Sequence, residues 1–240
     1  MRFLLSLFLV GALGCTDKSA PEPTQPATPE TAAKKADEPK ADEPKADEHK
    51  EGDLKTHMSD HFARALALKD AVISGDFEAT REPAKWLAEH GAPDNSPDEW
   101  VPFITELRQV AAGADGAKDI AEVAAAMGRV GVVCGRCHTE SKIRIEAADV
   151  AKPVGDQMLV HAWASDKMWE GLVIPDAARW AAGAEALATA ASQFDEKHKK
   201  TGAEISALAK AARGAKDDLQ RGVALGKIMS TCATCHAKAL

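Results

Sequence analysis

After residue 54 apolar residues recur at steps of three and four, and Gly or Pro interrupts the pattern at short intervals. This periodicity predicts a succession of amphipathic helices. The first spans about 54–74 and stops at Gly75. A short one, with Thr80 as N-cap, ends near Gly91. A third opens on Ser96, Pro97 and Glu99, a capping box with Pro at the first helical position, and runs to Ala112. The fourth runs from about Asp115 through His138, and four more follow near 156–172, 176–194, 198–213 and 215–237. Alternating β-branched runs are scarce, so the expected fold is all-α.

The two groups of four helices read as a repeat. MSDHF at Met58–Phe62 aligns with MLVHA at Met158–Ala162, and fifteen residues separate His61 from Asp76 and His161 from Asp176. GRVGVVCGRCH, Gly128–His138, aligns with GKIMSTCATCH, Gly226–His236. His61 and Cys134 are 73 residues apart, His161 and Cys232 71. Two helical units are therefore expected, 54–145 and 146–240.

Residues before 54 are of another kind. Arg2 precedes an apolar run, Phe3–Leu13, too short to span a bilayer as a mature helix, and 1–14 has the form of a cleaved export signal. Ala12, Leu13, Gly14 and Cys15 resemble a bacterial lipobox, which implies a lipidated Cys15 and a membrane-anchored lipoprotein of the periplasm or cell envelope. The alternative is a soluble secreted chain that loses Cys15 with the signal. Residues 15–53 hold six of the twelve prolines and the run ADEPK, ADEPK, ADEHK, from Ala36 to Lys50. With little apolar surface to bury, this segment is expected to be a disordered tether. The net charge is −7 and no basic stripe is present, which argues against nucleic acid as a partner.

Four of the five cysteines fall in two copies of Cys-x-x-Cys-His: Cys134, Cys137, His138 and Cys232, Cys235, His236. On a helix, positions i and i+3 share a face and i+4 lies beside them. Two thiols can then reach the vinyl groups along one porphyrin edge while the imidazole turns under the ring to the iron. This spacing is the attachment signature of c-type haem. It predicts two covalent haem c groups, thioether-bonded at the four cysteines, with His138 and His236 as proximal iron ligands. Ile120, Val123, Met127, Val130, Cys134 and Cys137 continue one apolar stripe, so the thiols are expected to face the core. A shared four-thiolate zinc site, two redox dithiols or disulfides compete for the same cysteines. Neither zinc nor a dithiol accounts for an adjacent histidine in both copies.

A haem motif at the carboxyl end of a four-helix unit resembles the class II cytochromes c, the cytochrome c′ and c-556 type, here in tandem over roughly 54–142 and 156–240. The resemblance implies two four-helix bundles, each with a haem at the end of its last helix. In an up-down-up-down bundle the start of the first helix lies beside the end of the fourth. That topology makes His61 and His161 the candidate distal ligands, with Met58 and Met158 as alternatives. His57, His90 and His198 are expected at the surface, and Trp86, Trp180, Met127 and Met229 in the core. Arg129 and Lys227 match across the repeat and are expected either to pair with haem propionates or to be solvated. The function implied is one-electron transfer between redox partner proteins, not an enzyme. Binding of nitric oxide or carbon monoxide at an open sixth position is the alternative, and a small di-haem peroxidase a further one.

Overall fold

A computed structural model describes residues 46–237, with side chains from 54 onward, so the signal 1–14, Cys15 and the tether up to 45 lie outside the described residues. The described chain is all-α, with eight α-helices and no strand. These are α1 (Ala46–Ser74), α2 (Arg81–Glu89), α3 (Val101–Asp115), α4 (Ile120–Glu140), α5 (Gln157–Val173), α6 (Ala177–Ala191), α7 (Lys199–Arg213) and α8 (Asp218–His236).

Aspartate side chains start four of the helices. Asp119 caps α4 by accepting from the backbone N–H of Ala121 and Glu122, and Asp217, at the aligned position, caps α8 through Gln220. Asp156 and Asp176 do the same for α5 and α6. Each such cap contributes about 1 kcal/mol by pairing an otherwise orphaned donor.

Several boundaries differ from the sequence reading, among them the start of α4, which lies at Ile120 instead of about Asp115. α1 begins at Ala46 instead of 54, inside the segment expected to be a tether. The third pentapeptide carries His49 where the first two carry Pro39 and Pro44, so nothing there removes a backbone donor. Thr80 does not cap α2: its hydroxyl donates back to the carbonyl of Phe77 at 2.6 Å, inside a 3-10 turn that runs straight into the helix. The capping box at Ser96 does not form, and α3 starts at Val101. The N–H groups of Trp100 and Val101 bond instead to the carbonyls of Pro97 and Asp98, which closes a turn where the first helical residues were expected.

In the first half α1 packs on α2 and α4, α2 on α3, and α3 on α4; in the second, α5 packs on α6 and α8, α6 on α7, and α7 on α8. The apolar stripe of α4 is buried as its spacing predicts, with Val123, Met127 and Val130 all at 0% exposure. Met229 and Trp180 are also core. The halves meet above all along α4 and α8, where glycine lets two backbones touch. A Cβ on Gly128 would lie 2.1 Å from the carbonyl oxygen of Gly222, and one on Gly226 would lie 2.9 Å from that of Ala124. Position 128 thus faces 222 and 124 faces 226, so the two helices run antiparallel. The aligned pairs are interchanged by swapping the halves, which gives the crossing a local two-fold pseudosymmetry. The two Cys-x-x-Cys-His motifs consequently lie toward opposite ends. Beside the crossing, the buried ammonium of Lys69 on α1 pairs with Asp166 on α5 at 2.5 Å. Among the described residues no helix is long and apolar enough to cross a membrane.

Candidate metal centres

The last turns of α4 and α8 carry the two motifs, and each histidine is held by a backbone carbonyl. His138 Nδ1 lies 2.7 Å from the carbonyl oxygen of Val173, at the end of α5. His236 Nδ1 lies 2.7 Å from that of Ile73, near the end of α1. A carbonyl only accepts, so each ring donates from Nδ1 and keeps the lone pair of Nε2 for a metal. Burial holds His138 below the ordinary imidazole pKa, with the bond to Val173 opposing it, and this favours the neutral form that a metal requires.

The thiols are free and mostly enclosed, Cys137 and Cys232 buried and Cys134 and Cys235 partly so. Burial pushes both Cys134 and Cys232 up to about 12, and the neighbouring thiols Cys137 and Cys235 add to the shift. Thiols this reluctant to ionise are poor redox nucleophiles, which counts against a pair of active dithiols. A shared zinc site fails on distance. Extending the α4–α8 register puts Cys232 level with residue 118, so roughly 24 Å of helix axis separates it from Cys134. Among the described residues no cluster of three or more His, Cys, Asp or Glu is placed to hold a bare metal ion.

The two centres differ on the side facing the first helix of each half. At the second, the start of α5 meets the end of α8: His161 Nε2 lies 3.7 Å from Cys232 Sγ. A cavity of about 360 Å³ opens there, lined by Met158, His161, Phe194, Cys232, Cys235 and His236. Phe194 stacks on the His161 ring at 5.5 Å, and His161 Nδ1 is buried with no hydrogen-bond partner. Midway along α1, His61 is 4% exposed and its Nε2 is buried without a partner. Its ring lies 4.2 Å from His57, 5.3 Å from Trp86 and 6.3 Å from His90. His90 in turn stacks on Trp86 at 3.5 Å. Burial lowers both His61 and His161 to about 4, helped by His57 and His90 in the first case and by His236 in the second.

Expectations for individual residues divide accordingly. His161 meets the second motif, as the topology argument required. His90 is exposed as expected, His57 is half-buried instead of lying at the surface, and Trp86 is only half-buried; all three pack around His61. One signal for His57 was present in the sequence, its place one helical turn before His61, but Gln157 stands at the aligned position and concealed it. His198 bonds to Asp195 at 2.8 Å and lines the cavity of the second centre. Met58 is half-buried and Met158 is 54% exposed. Arg129 and Lys227 are exposed and line a groove of about 500 Å³ with Ala125 and Val223, beside the helix crossing.

These features fit a covalent haem at each centre. At both, two thiols lie on one helix face and an imidazole is fixed with Nε2 free; at the second, His161 adds a buried imidazole with an unsatisfied nitrogen. No protein-family model matches this chain, and no similar curated protein or solved structure was found.

Proposed function

We propose that this chain is an exported di-haem c-type cytochrome of the class II kind, built as two four-helix bundles joined along α4 and α8. It carries single electrons between protein partners at a bacterial cell envelope, held there by a lipid on Cys15. Cys134 and Cys137 hold one haem and Cys232 and Cys235 the other, with His138 and His236 as proximal ligands and His61 and His161 as distal ones. Haem supplies an iron that gains and loses one electron reversibly. The chain fixes each proximal ring in one tautomer, keeps the distal imidazoles neutral through burial, and surrounds both with apolar side chains that exclude water.

One observation carries this reading. Both motif histidines present the same Nδ1-to-carbonyl bond at the same distance, a constraint that a solvated or merely structural histidine does not need. The buried imidazole of His161 beside the second motif, and a matching buried His61 on the first helix of the other half, favour six-coordinate iron and electron transfer over gas binding. The test is the full-length protein matured in an export-competent host, examined by intact mass and by pyridine haemochrome. Two haems per chain are expected, with low-spin ferric bands that nitric oxide leaves unchanged. A chain without the added mass of two haems overturns the proposal, and high-spin bands that respond to nitric oxide replace electron transfer with gas binding.

A further inference from the structure

Each motif histidine takes its orienting bond from the opposite half of the molecule. His138 ends α4 in the first half, yet its Nδ1–H is received by Val173 of the second. His236 ends α8 in the second half, and its Nδ1–H is received by Ile73 of the first. The packing around both bonds is also exchanged. A Cβ on Gly135, between the cysteines of the first motif, would lie 2.4 Å from the carbonyl oxygen of Leu172 and 3.2 Å from Pro175 Cγ. A Cβ on Gly75, just past α1, would lie 2.7 Å from the carbonyl oxygen of Ala233, between the cysteines of the second. Gly75 has φ +76°, a conformation only glycine adopts without strain, and this turn sets where α1 ends against α8.

α5 therefore serves both centres, and α1 serves the second. α1 carries His61 near its middle and, near its end, the carbonyl that holds His236; α5 carries His161 beside Cys232 in its first turns and ends with the carbonyl that holds His138. Twelve helical steps, about 18 Å, separate His61 from Ile73 and His161 from Val173. We propose that each half completes the other's centre: the carbonyls of Ile73 and Val173 are positioning groups that set the ligand-ready tautomer of His236 and His138, and neither half prepares its own histidine. Calling these histidines iron ligands rests on the function proposed above, but the exchanged bonds belong to the polypeptide alone.

The test uses the full-length chain produced without haem maturation and ring-nitrogen NMR of its histidines. In the unmodified chain both His138 and His236 are expected as pure Nδ1–H tautomers, with scalar coupling across the hydrogen bond to the carbonyl carbons of Val173 and Ile73. Gly75→Ala then loosens α1 against α8, and exchange of the His236 Nδ1 proton with D2O speeds up about tenfold while His138 is unmoved. Gly135→Ala has the converse effect, on His138 alone. Gly155→Ala is the control: its φ of +90° imposes similar strain, but no atom lies within 4 Å of the added Cβ, and neither histidine should respond. The absence of the two couplings in the unmodified chain overturns the proposal, even if every variant fails to fold. So does Gly75→Ala leaving His236 unchanged or disturbing both rings equally. Couplings present in a chain that never acquires haem would sink the proposed function and leave this inference standing.

Discussion

The two motif histidines are held alike, whereas the buried histidines on the first helix of each half have different surroundings. His138 and His236 each sit 2.7 Å from a helix-end carbonyl, but His61 lies among His57, Trp86 and His90, whereas His161 faces Phe194, Cys232 and a cavity. The proximal bond is made to backbone, and the position of that backbone follows from the pseudosymmetric crossing of α4 and α8. Side-chain differences between the halves cannot move it far. The surroundings of His61 and His161 are made of side chains and change with each substitution, of which Gln157 in place of His57 is one. The helix packing shows the same freedom: Gly131 leaves room for Trp169 and Leu172 against α4, while the aligned position in α8 holds the buried Met229.

The largest expected effect tests whether the centres load independently. Cys134→Ser with Cys137→Ser, or Cys232→Ser with Cys235→Ser, should each halve the haem per chain measured by pyridine haemochrome; complete loss from either pair would show that one centre cannot assemble without the other. Next comes the distal contrast. His161→Ala should turn the second haem high-spin in electron paramagnetic resonance, whereas His61→Ala should leave a low-spin fraction at the first because His57 lies one turn away. Identical spectra from the two variants would mean that the distal difference has no effect on the iron, and low-spin spectra from both would point to Met58 and Met158.

The buried imidazoles also make an acid-sensitive pair in the haem-free chain. The unfolded chain takes up these protons near 6.5 and the folded chain only near about 4, so the unfolded state binds more protons in between. Stability should fall as pH drops through that window, by roughly 3 kcal/mol for each histidine, and level off below it. Denaturant titration across the window measures this, and His161→Phe should remove about half of the dependence. The smallest effects separate the shared crossing from one centre. Gly128→Ala, whose Cβ would meet the backbone of Gly222, should cost about 1–3 kcal/mol in thermal unfolding and disturb both centres. Gly131→Ala meets the movable end of Leu172, so it should cost less and disturb only the first.

Local pattern carried much of this. The three-and-four spacing of Val123, Met127 and Val130 predicts a buried face on α4, and that face is buried because the helical period leaves it no other orientation. The helix-four stripe, the repeat and the cysteine motifs were readable for the same reason: each depends on neighbours a few residues away. The caps were less so. Ser96 and Thr80 have the right chemistry for N-caps, but turns in the chain around them give the Ser96 N–H to the carbonyl of Pro93 and the Thr80 hydroxyl to that of Phe77. The cluster at His61 was missed because Trp86 and His90 reach it from another helix and the loop beyond it, so no spacing in the chain records them.

The sequence by itself determined that the described chain is helical, that it repeats, and that two thiol pairs each precede a histidine on one helix face, since backbone periodicity converts spacing directly into direction. Which half orients which histidine was decided only by the tertiary structure. A carbonyl at position 73 or 173 looks like any other along the chain, and it becomes a partner for an imidazole 163 or 35 residues away only because glycine contacts bring α4 and α8 together antiparallel.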